Sequence, residues 1–351
     1  MLGSLKRLIP ILLGLTLLSS VNAQQPEVKE TLHARVDPRT PAYQRLQDLS
    51  GNLASAGTDT METVMKMWIE DFTRLYPKVT ITQEARGSMT AEPALTAGRT
   101  QLATLSRELM PDELARFKQK FGYEPLVIKV ALGSFRTPAK TAALTFYVHE
   151  SNPITKLTFA QLDAIYCTTR RRGYKEDITN WGQLGAGREW VNRPIHLVGV
   201  VQPDGVSNNI RIMICDDGEF KRNILEEKID HSPGAVGVLS RIVMDVSKDP
   251  AAIGYGGFHS RQPGTKPIAI ATTKRGPFLM DTWKTVSTAQ FPLTRFNYII
   301  VNRPSGRSMD PTIKEFLKYV LSREGQKAVE REGIFLPLPA HITKAERAKL
   351  G

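Results

Sequence analysis

The chain has 351 residues, 41% of them hydrophobic, and carries 47 Lys and Arg against 35 Asp and Glu for a formal net charge of +12. That length exceeds what a single hydrophobic core usually organises and argues for two domains, while the basic excess suits attraction of an anionic ligand or surface. No zinc-finger spacing, aromatic RNA-binding signature or basic heptad accompanies the charge, so nucleic acid is not an expected partner.

In chain order, Lys6-Arg7, an apolar run from Leu8 to Leu18 and Val21-Asn22-Ala23 follow the pattern of a secretory signal peptide over residues 1–23, with cleavage after Ala23. The apolar run is too short to span a bilayer. An exported protein is therefore expected, periplasmic in a Gram-negative cell, with 45 basic against 35 acidic side chains once Lys6 and Arg7 are gone. Residues 24–47 are polar, contain Pro26, Pro38 and Pro41, and read as a flexible leader.

Ala56-Gly57-Thr58-Asp59-Thr60 then opens a helical pattern in which Met61, Val64, Met65, Trp68, Ile69 and Phe72 share one face. Asp59 with Glu62 forms a candidate capping box, Pro77 ends the element, and Val79 to Gln83 alternates as a strand. A second hydroxyl-rich turn follows at Arg86-Gly87-Ser88-Met89-Thr90, and a third at Leu105-Ser106-Arg107. A helix start leaves its first N–H groups without intrahelical partners and carries the positive end of the macrodipole, so Gly, Ser and Thr placed there can surround an oxyanion with donors. The same residues are ordinary helix caps, and both readings stand at this point.

Further on the spacing predicts a helix from about Asp112 to Phe121, strands at Val127–Leu132 and Ala142–His149, a helix opening at Thr158-Phe159-Ala160-Gln161, and a strand from Ile195 to Val201. Alternation of this kind argues for α/β layers with mostly parallel sheets. Asp310-Pro311 starts a helix with Ile313, Phe316, Leu317, Val320 and Leu321 on its buried face, and a shorter helix ends at Gly333. Arg170-Arg171-Arg172 with Lys175 reads as a solvated loop. Cys167 and Cys215 are the only cysteines; an exported compartment permits a disulfide between them, but sequence does not give their separation. None of the six histidines has HExxH spacing and no Gly-x-Ser-x-Gly elbow occurs, so an exported hydrolase is an alternative with no motif behind it.

Several stretches together resemble the substrate-binding proteins of phosphate ABC transporters. They are Ala56-Gly57-Thr58-Asp59-Thr60-Met61, Gly87-Ser88-Met89-Thr90-Ala91, Leu105-Ser106-Arg107-Glu108-Leu109, Tyr147-Val148-His149 leading to Asn152-Pro153, Asp177-Ile178-Thr179-Asn180-Trp181-Gly182, Ala252-Ile253-Gly254-Tyr255, and Pro292-Leu293-Thr294-Arg295 leading to Leu321-Ser322-Arg323-Glu324-Gly325-Gln326. The resemblance runs from about Leu49 to Pro339. It implies an α/β, two-lobed periplasmic-binding-protein fold, each lobe a mixed sheet flanked by helices, joined by two crossover strands. Lobe I would hold residues 48–131 and 265–351 and lobe II residues 132–264, with crossovers near 132–140 and 260–270. Ligand binding would favour a closed arrangement by hinge motion.

The resemblance also implies a site. Its anion ligands would be Gly57, Thr58, Asp59 and Thr60, then Gly87, Ser88, Met89 and Thr90, then Ser106 and Arg107, with Gly205 and Ser207 from the second lobe. Arg107 would supply a guanidinium fork, or else pair with Glu108 or Asp112. Asp59 facing the ligand would accept the proton of hydrogen phosphate and repel sulfate. The second lobe departs from the pattern: after the strand ending at Val201 the family has an Arg and a Ser-Gly-Thr turn, whereas this chain reads Gln202-Pro203-Asp204-Gly205-Val206-Ser207-Asn208-Asn209. Asn208 or Asn209 would then have to donate in place of the lost groups. The implied function is an exported, monomeric binding protein, not an enzyme, with no cofactor and no metal, that delivers phosphate or a related oxyanion to an ABC transporter permease. The altered second lobe keeps open a sensor or receptor for a different ligand.

Overall fold

The computed structural model describes residues 34–351 except 47, 48, 231, 233 and 305. The expected signal peptide, its cleavage after Ala23 and residues 24–33 of the expected leader lie outside the described residues. Among the described residues, no helix is long and apolar enough to cross a membrane.

The fold is two-lobed. Its first part runs β1 (Gly51–Gly57), α1 (Glu62–Leu75), β2 (Val79–Ala85), α2 (Ala91–Thr96), β3 (Leu102–Leu105), α3 (Pro111–Phe121) and β4 (Leu126–Ser134). The middle runs β5 (Leu144–His149), β6 (Lys156–Thr158), α4 (Phe159–Tyr166), β7 (His196–Val200), α5 (Gly205–Cys215), β8 (Ile224–Glu227), α6 (Val238–Lys248), β9 (Ala252–Gly257), β10 (Thr265–Pro267) and β11 (Ala269–Ala271). The last part is α7 (Trp283–Ser287), β12 (Phe296–Val301), α8 (Pro311–Val320), α9 (Arg323–Glu332), β13 (Phe335–Leu336) and α10 (Ala340–Ala348). A six-stranded sheet has the order β13-β4-β12-β3-β1-β2 and a five-stranded sheet the order β10-β5-β9-β7-β8, with β6 and β11 forming a separate pair.

The sheets are mixed rather than mostly parallel. β1 is parallel to β2 and β3, and β7 to β8 and β9, but β12 is antiparallel to both β3 and β4 and β5 to both β9 and β10. Helix–strand alternation builds the parallel halves, because a parallel connection needs a crossover element. The antiparallel strands are those where the chain passes from one sheet to the other, which alternation does not register.

α1 forms where the periodicity places it, with Val64, Met65, Trp68 and Phe72 buried on one face. Trp68 is fully buried and donates its indole N–H to the Gly325 carbonyl at 2.7 Å in α9, and burial of a side chain of this size contributes about 1.5–3 kcal/mol. In the five-stranded sheet, Gly254 and Gly256 leave room for α6: a Cβ at Gly254 would stand 2.6 Å from a methyl of Ile242, and one at Gly256 2.8 Å from a methyl of Val243. A side chain at either would force the helix off the strand.

Three expectations are corrected here. Residues 34–46 are not a loose leader: Tyr43 donates its N–H to Glu324 at 2.6 Å and its hydroxyl to Glu315 at 2.7 Å, and Arg323 donates to the carbonyls of Thr40 and Pro38 at 3.1 and 2.9 Å. The polar composition that suggested flexibility serves α8 and α9 instead. The chain leaves the six-stranded sheet after Ser134 and enters the five-stranded one at Leu144, but it does not leave at 264, because β10 pairs with β5 and β11 with β6. The return therefore falls between Ala271 and Phe296. Finally, the run Arg170-Arg171-Arg172 is not simply solvated. Arg171 donates to the carbonyls of Asp216 and Asp217 at 3.2 and 2.9 Å, and Arg172 to that of Ile214 at 2.8 Å, so cations satisfy the carbonyl end of α5. The Cys167–Cys215 disulfide, with Cα atoms 5.7 Å apart, ties the same end to α4.

Candidate functional site

The three hydroxyl turns come together at the C-terminal ends of β1, β2 and β3. The Thr58 hydroxyl lies 3.1 Å from that of Ser106, and the Ser88 hydroxyl 3.5 Å from it. Gly57 makes this approach possible: its φ is +144°, and a Cβ there would stand 2.1 Å from the Thr104 carbonyl. Thr58 N–H is spent on that carbonyl at 2.9 Å, so at this position the hydroxyl, not the amide, faces the cluster.

Ser88 and Ser106 line a cavity of about 470 Å³ between the two lobes. Met89, Arg107 and Glu113 line it from the first lobe; Thr141 and Ala142 from the outgoing crossover; Asp204, Gly205, Leu239 and His259 from the second lobe; and Arg295 from the return. Met89 is 76% exposed at its rim. The lobes touch beside the cavity, where Asn208 donates to the Leu109 carbonyl at 3.3 Å and Asn209 to Glu108 at 3.0 Å. A Cβ on Gly205 would stand 2.7 Å from the Arg107 Cδ, so the start of α5 can close on that arginine only as glycine.

Several expected ligands are placed elsewhere or already engaged. Asp59 is exposed, does not line the cavity, and is not the cap: Thr58 Oγ1 accepts the Thr60 N–H at 3.2 Å, and the chain enters α1 through a short 3-10 turn, Asp59–Met61, which breaks the Asp59–Glu62 box. Gly57, Thr60, Gly87 and Thr90 also lie off the cavity wall, with Thr90 Oγ1 donating to the Gly87 carbonyl at 2.8 Å. Arg107 is buried and pairs with neither Glu108 nor Asp112 carboxylate; it holds Glu113 through both terminal nitrogens at 2.7 Å. Ser207 does not line the cavity but completes a capping box, donating to the Asp204 carbonyl at 3.0 Å and accepting the Asp204 N–H at 3.2 Å. Asn208 and Asn209 do not line the cavity and each gives one amide hydrogen bond to the first lobe.

Three further cavity groups were not singled out as ligands in the sequence. Thr141 donates to the Ser106 carbonyl at 3.1 Å, steadying the hydroxyl cluster. His259 has a buried Nδ1 without a hydrogen-bond partner among the described residues, and burial holds its pKa below the usual 6.5. Arg295 is 6% exposed, and its Nε is likewise buried and unpartnered. Nearby Tyr298 donates its hydroxyl to Glu108 at 2.8 Å, and burial, followed by that carboxylate, pushes its pKa well up.

A family model described as a PBP superfamily domain matches residues 37–324. The phosphate-binding protein PstS of Pseudomonas aeruginosa is 37% identical over 318 residues, covering 91% of this chain and 93% of that protein. The chain belongs to the PstS family within the PBP superfamily. Among solved structures, PstS from Borrelia burgdorferi aligns with a TM-score of 0.52 at 19% identity, over 82% of this chain and 99% of that one. An ABC-type phosphate transport receptor from Vibrio cholerae aligns with a TM-score of 0.50 at 19% identity, over 81% and 99%. Those two likenesses speak to the fold. Between Ile195 and Asn209 this chain has no Lys or Arg.

Proposed function

We propose that this protein is an exported solute-binding protein that holds phosphate in the interlobe cavity and delivers it to an ABC transporter permease, acting as a monomer and without turning its ligand over. The observation that carries the reading is the pair of Ser88 and Ser106 hydroxyls on the cavity wall, 3.5 Å apart, with the buried Thr58 hydroxyl 3.1 Å behind Ser106, since hydroxyls can both donate to an oxyanion and relay donors to one another. In this reading lobe I carries the six-stranded sheet and lobe II the five-stranded sheet with the β6–β11 pair, joined by segments 135–143 and 272–295. The acceptor for the proton of hydrogen phosphate falls to Asp204, the second-lobe carboxylate on the cavity wall, rather than to Asp59.

A second reading, a larger anionic ligand such as a phosphate ester, draws on the cavity volume of about 470 Å³, which is many times the ~30 Å³ share of one water. Calorimetric titration of the mature protein, stripped of ligand by unfolding and refolding, separates the two. Phosphate binding at micromolar concentration or tighter with no sulfate response supports the first; response only to an ester supports the second. Hydrolysis of an ester by the purified protein would contradict the non-enzymatic assignment.

A further inference from the structure

We infer that Arg295, on the return crossover, supplies the cation for the bound anion in place of the arginine missing from the 200–209 turn. The inference rests on the phosphate reading above and names the charge that reading lacks. Arg295 immediately precedes β12, lines the cavity and is 6% exposed. No described residue forms a hydrogen bond or ion pair with its guanidinium, and its Nε is buried without a partner. A buried charge is normally paired, because desolvation without compensation is costly. The molecule itself shows that rule in Arg107, on the same cavity and of similar burial, whose terminal nitrogens both reach Glu113 at 2.7 Å. Arg295 has the burial of a paired arginine and no pair.

Its surroundings point to an anion as the absent partner. It pairs with the end of β4, which leads into the outgoing crossover: the Arg295 carbonyl accepts the Gly133 N–H at 2.9 Å, and Phe296 sits opposite Leu132. On that crossover Thr141 donates to the Ser106 carbonyl at 3.1 Å, linking the arginine's wall to the hydroxyl cluster. The second-lobe wall offers His259, whose Nδ1 is buried and also unpartnered. Donors from both crossovers and both lobes thus surround a space whose wall also carries Asp112, Glu113 and Asp204, none of which forms an ion pair with Arg295: Glu113 is taken by Arg107, Asp112 by Arg116, and Asp204 caps α5. Among the described residues, the competing partner is Glu108. Its Oε1 accepts from Tyr298 and Asn209 at 2.8 and 3.0 Å, and its Oε2 is buried without a partner.

The competing role is separable by experiment. Inorganic phosphate would be titrated calorimetrically into the mature wild-type protein, Arg295→Met and Arg295→Lys, and the thermal midpoint of each measured with and without phosphate. If Arg295 serves the anion, Arg295→Met weakens phosphate binding roughly ten- to hundredfold, as loss of a charge-assisted hydrogen bond does. Its ligand-free midpoint stays level or rises because a buried unpaired charge has gone, and Arg295→Lys regains part of the affinity. Unchanged phosphate affinity in Arg295→Met overturns the inference while leaving the phosphate reading intact. A ligand-free midpoint that falls in both variants, with affinity retained in Arg295→Lys at the wild-type value, assigns Arg295 to Glu108 and overturns it as well. A wild-type protein that binds no phosphate removes the reading and the inference together.

Discussion

Arg107 and Arg295 approach one cavity from two regions that solve the problem of a buried guanidinium differently. Arg107 stands after β3, in the hydroxyl-rich wall, and is neutralised by Glu113 one turn into α3, with both side chains nearly out of solvent. Arg295 stands on the return crossover with no partner among the described residues. The first arrangement is a structural tie that braces the wall; the second leaves a charge whose compensation comes from outside the chain. The position of an arginine in a site therefore does not define its role. The role follows from whether a carboxylate already occupies its fork.

The comparison can be broken most forcefully at Glu113. Glu113→Ala leaves Arg107 buried and unpaired and also removes the acceptor of the Met110 N–H, which Glu113 holds at 2.8 Å. The expected loss is about 3–5 kcal/mol of stability, read from the urea midpoint. A loss under about 1 kcal/mol would mean that the pair acts like an exposed one, and the contrast with Arg295 would collapse.

Asp204 tests the other wall. Its Oδ1 accepts the Val206 N–H at 2.7 Å, a cap that Asn also makes, so Asp204→Asn should fold normally. With the acceptor charge gone, discrimination against sulfate should fall by about tenfold or more, the worth of one charge-assisted hydrogen bond. Parallel phosphate and sulfate titrations decide it, and an unchanged ratio would take Asp204 out of the selectivity argument.

Ser106 is the hub of the hydroxyl cluster, and Ser106→Ala should weaken phosphate binding roughly two- to twelvefold, the range for one neutral hydrogen bond. Equal affinity in the variant would place the anion away from the wall formed by β1, β2 and β3. The smallest effect is expected at His259. Its imidazole should titrate below 6.5 in the free protein, because burial disfavours the charged ring, and an anion in the cavity should raise that value. Since the unfolded ring binds a proton more readily than the folded one, the stability His259 contributes is present above about pH 6.5 and declines as pH falls through the folded-state value. NMR titration with and without phosphate reads both; a pKa indifferent to phosphate would move His259 out of the site.

Much of the scaffold was legible from local pattern. The i, i+3, i+4 spacing from Met61 to Phe72 specifies α1, Thr158 with Gln161 caps α4, and Asp310 caps α8, accepting the Thr312 and Ile313 N–H groups at 2.8 and 3.1 Å. The hydroxyl turns were legible too, because the ends of neighbouring strands in one sheet gather consecutive loops. What escaped was decided by competition or by distance along the chain. Asp59 and Glu62 have the spacing of a capping box, but the 3-10 entry gave the capping position to Thr58. Ser207 looks like the remnant of an anion-binding turn, and in the structure it and Asp204 are each other's capping partners. Arg295 lies far along the chain from Ser106, and only the antiparallel insertion of β12 between β3 and β4 brings the two to one cavity. No local spacing encodes that meeting.

The most direct test of the account is a crystal structure of the mature protein with phosphate. The account predicts one anion in the interlobe cavity, within hydrogen-bond distance of the Ser88 and Ser106 hydroxyls and of the Arg295 guanidinium, with the Arg107–Glu113 pair intact. An anion held by Arg107 after that pair opens, or one bound outside the cavity, would contradict it.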